Sequence, residues 1–154
     1  MQSVTVDQDL IYRGSLGRCV TAIGVDYVSV ARVAAALMKL QEKFAKAVLT
    51  EAEWKTWQAD GLLLSAEHLA GRWAAKEAVA KALGSGFIQG ITWKNIEIHH
   101  DAAGAPQVVL NGAAAQLAEE KGITQWLISI SHDKEMAVAF VEALAEPQNS
   151  SRLF

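Results

Sequence analysis

The chain has 154 residues, 51% of them apolar and 20% charged, enough for one domain with a real core and too apolar for general disorder. A formal net charge of −3 argues against a nucleic-acid binder held by a broad basic surface. Cys19 is the single cysteine, which excludes an internal disulfide and a multi-cysteine metal cage and points to a reducing compartment. Residues 1–9 lack the basic start and apolar run of a secretory signal. No apolar stretch approaches the ~20 residues that span a bilayer, so a soluble cytoplasmic protein, with no membrane and no nucleic-acid partner, is expected.

Residues 1–18 carry weak pattern and read as an N-terminal extension with an extra strand around Leu10–Tyr12. Cys19–Val28 is rich in β-branched residues and predicts a strand with Asp26 near its end. Val30, Val33, Ala34, Leu37, Leu40 and Phe44 then recur at helical spacing, and Ser29 is placed to cap that helix. Thr50–Glu53 matches a capping box and opens a short helix through about Gln58, which Asp60-Gly61 breaks. A long helix follows from near Ser65 to Leu83. Leu69, Trp73, Ala80 and Leu83 form its expected buried stripe, with Arg72, Lys76 and Lys81 closer to water. It stops at Gly84-Ser85-Gly86, where glycine takes the left-handed conformation.

Ile91–Ile98 alternates as a strand with an irregularity near Lys94-Asn95, and Asp101–Gly104 is turn chemistry. Gln107–Leu110 returns as the partner strand of a hairpin. Gly112 opens a short helix over Ala113–Lys121, and Gly122 ends it. Trp126–Ser131 and Met136–Glu142 read as antiparallel strands around a turn at His132–Glu135. Residues 145–154 read as a flexible tail, leaving a domain at 19–144. Strands and helices interleave without regular βαβ alternation, so the expected class is α+β, an antiparallel sheet packed against helices.

The long helix holds most of the chemistry. Arg72, Lys76 and Lys81 surround one acid, Glu77, and a carboxylate among several cations on a rigid element suits a metal-bridged polyphosphate. The ordinary alternative is a solvated face whose Glu77–Lys81 pair, four residues apart, contributes about 0.3–0.5 kcal/mol. Asp26 is open between a turn residue and a ligand, and the glycines after Leu83 between a helix stop and a loop that approaches a nucleotide. Ser131 and His132 are strand neighbours whose side chains point to opposite faces, which argues against a hydrolase triad. His99 and His100 beside Asp101 read as part of the turn rather than as a metal cluster.

Three separated segments carry a family resemblance. Ile23-Gly-Val-Asp26, Arg72-Trp-Ala-Ala-Lys-Glu-Ala-Val-Ala-Lys81 and Ser129-Ile-Ser-His132 resemble the signature segments of the 4'-phosphopantetheinyl transferase superfamily. Leu49-Thr50 and Leu69-Ala-Gly-Arg72 resemble its holo-[acyl-carrier-protein] synthase branch, and the likeness spans roughly residues 20–142. The resemblance implies an α+β fold, often a homotrimer with sites between subunits. It implies transfer of phosphopantetheine from coenzyme A to a serine of an apo acyl-carrier protein, or of a carrier domain in a fatty-acid synthase. Magnesium is the implied metal and adenosine 3',5'-bisphosphate the implied product.

By the same resemblance Asp26 and Glu77 are metal ligands and, with Lys81, the catalytic set. Arg72, Lys76, Lys81, Gly84, Ser85, Gly86, Ser131 and His132 are the implied coenzyme A residues. Arg32 matches a carrier-docking arginine. Ala47 and Ser29 depart from the family pattern, where a basic and an acidic residue are usual, and Lys43 and Lys46 are candidates to compensate. Glu77 and a metal-ordered water stay open as the general base. A non-catalytic coenzyme A or nucleotide-binding module and a purely structural trimer-forming domain are the rival readings, and Asp26, Glu77 and Lys81 together speak for catalysis.

Overall fold

The structure is a computed structural model that describes residues 13–14, 17–59, 65–87 and 90–146. The strand expected around Leu10–Tyr12, the break at Asp60-Gly61 and the tail from residue 147 lie outside the described residues.

β1 (Arg13–Gly14) pairs with β2 (Arg18–Ser29), and β2 pairs antiparallel with β6 (Met136–Ala145), the last strand of the chain. β6 pairs antiparallel with β5 (Ile123–His132), giving the order β1-β2-β6-β5. The hairpin of β3 (Ile96–His100) and β4 (Pro106–Leu110) forms a separate two-stranded sheet. β6 runs to Ala145, which pairs with Cys19 and Ile123, so the first residue assigned to a loose tail belongs to the sheet.

Alternation divides the large sheet into two unlike faces. Ala137, Ala139, Val141 and Ala143 of β6 are fully buried. They face helix α4 (Ala66–Leu83), which Ser65 caps by accepting the His68 amide and Gly84 ends at φ +76°. Small residues allow the helix to sit close. At Gly24 of β2 a Cβ would lie 1.9 Å from the Ala78 carbonyl oxygen, so only glycine fits. The sequence reading expects one buried stripe on α4, yet Leu69, Ala70, Ala74, Ala75, Ala78, Val79 and Leu83 are buried on several sides. The helix is central to the domain, and a stripe pattern describes only helices with a wet face.

The opposite face of the sheet carries exposed apolar side chains: Ile23, Val25, Tyr27, Leu127, Val138 and Phe140.

The expected helix from Val30 to Phe44 is two helices, α1 (Val30–Leu40) and α2 (Glu42–Val48), broken at Gln41 with φ +50°. Each half keeps the same spacing, Val30, Val33 and Leu37 before the break and Phe44, Ala45 and Val48 after it, so periodicity alone could not reveal it. Ser29 caps α1 as expected, accepting the Arg32 amide. α3 (Glu51–Ala59) opens on the expected capping box, with the Thr50 amide donating to Glu53 and the Glu53 amide to Thr50 Oγ1. The irregularity near Lys94-Asn95 is a 3-10 turn over Trp93–Asn95, capped by Thr92 and Asn95. α5 (Gly112–Glu120) leads into β5.

Candidate active site

Two lysines of α4 that the sequence reading places alike on the wetter side of the helix have separate environments. Lys76 is fully buried. Its ammonium donates to Glu53 Oε2 at 2.6 Å, to the Val48 carbonyl at 2.7 Å and to the Trp93 carbonyl at 3.0 Å. These three acceptors use all three N–H groups of a lysine. Lys76 is therefore not a water-facing residue and has no donor left for coenzyme A, a correction to both expectations. Burial pushes its pKa below the usual ammonium range, against the pull of Glu53. Glu53 also accepts the amides of Thr50 and Ile98, so one buried pair joins α3, α4, the end of α2, the 3-10 turn and β3.

Lys81 is half-exposed and reaches the sheet. Its ammonium lies 2.6 Å from Asp26 Oδ1 and 3.1 Å from the Val25 carbonyl. Asp26 is two residues beyond Gly24 on the face against α4, so the close approach at Ala78 carries Asp26 to this helix. Glu77 lies one helical turn before Lys81, but no ion pair joins the two among the described residues. Glu77 Oε1 instead accepts the indole N–H of Trp73 at 3.0 Å and of Trp93 at 3.3 Å. Oε2 has no partner among the described residues. The ordinary surface pair expected from the spacing is thus replaced by Asp26 on one side and two indoles on the other.

No group of three or more His, Cys, Asp or Glu among the described residues could hold a metal. The donors near Lys81 are two carboxylates, an all-oxygen set that fits a magnesium ion completing its shell with phosphate and water.

A cavity of about 460 Å³ opens on the first half of α4, at His68, Gly71 and Arg72. All four histidines of the chain, His68, His99, His100 and His132, line it together with Arg72. Arg72 Nη2 lies 3.1 Å from His100 Nδ1, and the rings of His68 and His132 are 5.4 Å apart. Burial lowers the Arg72 pKa, and the charge of Glu53 opposes that shift. Asp101 is a turn residue as expected, accepting the amides of Ala103 and Ala105, yet the hairpin it closes delivers His99 and His100 to the cavity.

Other expected site residues do not converge here. Ser131 is on the outer face of the sheet with Ser129, opposite Ile130 and His132. The Ser85 side chain is buried and donates to the Gly86 carbonyl, so its hydroxyl closes the helix end rather than facing a ligand. Gly84 and Gly86 have φ of +76° and +57°, and their amides donate to the Lys81 and Ala80 carbonyls. On the α1–α2 surface Arg32 lies over the Trp73 ring, 5.7 Å from its centroid. Lys43 is exposed, and Lys46 pairs with Glu42 at 3.0 Å. No described helix is long and apolar enough to cross a membrane.

Residues 22–141 match the 4'-phosphopantetheinyl transferase superfamily. A relative from Hydrogenovibrio crunogenus, named Holo-[acyl-carrier-protein] synthase, is 44% identical over 124 residues, covering 80% of this chain and 96% of its own length. The chain belongs to the 4'-phosphopantetheinyl transferase superfamily. It is an enzyme of the holo-[acyl-carrier-protein] synthase type. The crystal structure of that synthase from Neisseria meningitidis is 36% identical with a TM-score of 0.73, covering 80% of this chain and 98% of that one. The Helicobacter pylori synthase, solved in complex with coenzyme A, is 29% identical with a TM-score of 0.67, covering 79% and 98%.

Sequence reasoning on this synthase missed Trp93 and read Trp73 only as core. Trp73 is four residues before Glu77, a spacing at which helix side chains touch, so that signal was present. Trp93 reaches Glu77 only because the 3-10 turn redirects it.

Proposed function

We propose that the enzyme transfers 4'-phosphopantetheine from coenzyme A to a serine of an apo acyl-carrier protein or carrier domain, with magnesium. The observation that carries this reading is the contact of Lys81 with Asp26 one helical turn from a Glu77 whose Oε2 has no partner among the described residues. Asp26 and Glu77 would hold the cation. When bound, it neutralises charge on the diphosphate oxygens. The serine hydroxyl gives its proton to water, its oxygen forms a new bond to the phosphorus nearest the pantetheine, the phosphoanhydride bond to the departing phosphate breaks, and adenosine 3',5'-bisphosphate leaves. The Lys81 ammonium offsets charge on the departing oxygens. Arg72 and His132 in the cavity would bind phosphate groups of coenzyme A, with the Gly84–Gly86 loop at the nucleotide.

Arg32, Lys43 and Lys46 form a basic strip on α1 and α2 suited to an acidic carrier helix. The exposed apolar face of Ile23, Val25, Tyr27, Val138 and Phe140 favours self-association, and a homotrimer is our reading of it. The transferase unit on this reading is residues 19–144, with 1–18 as an extension, acting in the cytoplasm on carriers of fatty-acid synthesis.

Incubation with coenzyme A, Mg²⁺ and an apo acyl-carrier protein tests the function. The carrier should gain the mass of one phosphopantetheine at its serine. A panel of apo carriers left unmodified would contradict it.

A further inference from the structure

We propose that Trp73 and Trp93 are positioning residues that grip Glu77 by Oε1 and thereby present Oε2 to the divalent cation; this rests on the reading of Glu77 as a cation ligand.

A glutamate side chain turns about three torsions, so a half-buried carboxylate on a helix samples many positions unless something fixes it. Here both indole N–H groups converge on the same oxygen, at 3.0 and 3.3 Å. A carboxylate oxygen with two donors is saturated, and the lone pairs of the other oxygen stay free for a metal. Water could satisfy a half-exposed carboxylate, so solvation alone does not require two indoles.

The indoles are themselves held. Trp73 and Trp93 pack edge to face at 5.4 Å, Phe44 braces Trp73 at 5.6 Å and Phe87 braces Trp93 at 5.7 Å. The Trp93 carbonyl accepts from Lys76, whose ammonium is fixed on Glu53. The buried pair therefore anchors the turn that aims Trp93, while Trp73 is set by its place on the same helix as Glu77. Arg32 over the outer face of Trp73 joins this aromatic row to the basic strip.

The test is Mn²⁺ binding, read from the electron paramagnetic resonance of the free ion, with saturating coenzyme A and no carrier. Trp73→Phe and Trp93→Phe keep the ring packing and remove one N–H each. Each should weaken Mn²⁺ binding about tenfold, within the range seen when partners behind a metal ligand are removed. The KM for Mg²⁺ should rise more than kcat falls, and coenzyme A affinity without cation should stay at the parent value.

Glu77→Gln is the control. Parent-like Mn²⁺ affinity in both tryptophan variants, with affinity lost in Glu77→Gln, overturns the positioning role and leaves the ligand assignment standing. Parent-like affinity in Glu77→Gln removes the ligand assignment and the proposal with it. If a variant fails to fold, the unmutated protein gives the answer through its five indole N–H resonances. Adding Mg²⁺ to the coenzyme A complex should shift those of Trp73 and Trp93 and leave Trp54, Trp57 and Trp126 in place. Unmoved Trp73 and Trp93 signals overturn the proposal.

Discussion

Lys76 and Lys81 are five residues apart on one helix and each meets a carboxylate at 2.6 Å, yet the two pairs do opposite work. Lys76 and Glu53 are 0% and 3% exposed, while Lys81 and Asp26 are 53% and 17% exposed. A buried pair cannot exchange partners without leaving a charge stranded in the core, so it is suited to architecture. An exposed pair contributes little to stability and is free to trade its carboxylate for a phosphate. Burial, rather than residue type or motif position, separates the lysine locked into the core from the one whose carboxylate can be exchanged.

The strongest way to break the comparison is to cut the buried pair. Lys76→Met leaves Glu53 charged in the core and should cost about 3–5 kcal/mol, measured by urea unfolding. Removing Glu53 as well will not restore stability, because the Thr50 and Ile98 amides then lose their acceptor. Lys81→Met should do the reverse. Stability should change by no more than about 1 kcal/mol, given the exposure of the lysine, while turnover falls about 100-fold or more from the lost charge at the leaving oxygens. A Lys81→Met protein that transfers at the parent rate would end the division of labour.

Gly24→Ala probes the element that carries Asp26 to the helix. A methyl group 1.9 Å from the Ala78 oxygen must push β2 from α4, costing about 1–3 kcal/mol and lowering turnover through the displaced Asp26. Thermal melts and rates on the same preparation show both effects.

The smallest effect is at an exposed carboxylate with no lysine. The amides of Ala105 and Ala103, with Gln107, hold the Asp101 pKa below its ordinary value of 3.8. A depressed carboxylate stabilises the folded state above the unfolded pKa and loses that contribution as pH falls through the folded one. Amide exchange in the turn after His100 should therefore rise only in strong acid, and Asp101→Ala should raise it already at neutral pH.

Much of this fold was legible in the residues because it rests on local chemistry. Ser29 and Ser65 cap their helices, Thr50 and Glu53 close a capping box, and Gly84 ends α4. The break at Gln41 was hidden because both helices keep one period, whereas the 3-10 turn showed as an irregularity at Lys94-Asn95 in an otherwise alternating run. Asp26 and Lys81 stand out as motif residues, and the fold brings them into contact. The fate of Lys76 could not be read, since it depends on Glu53, Val48 and Trp93 arriving from other elements. The gathering of four histidines around Arg72 was hidden for the same reason.

The most direct test of the central claim, that one divalent cation is gripped between the strand acid and the helix acid, is anomalous diffraction from Mn²⁺ in crystals of the coenzyme A complex. The account predicts one strong peak about 2.1 Å from a carboxylate oxygen of Asp26 and from Oε2 of Glu77, with Oε1 still on the two indoles. A peak that touches only one of these acids, or neither, would contradict it.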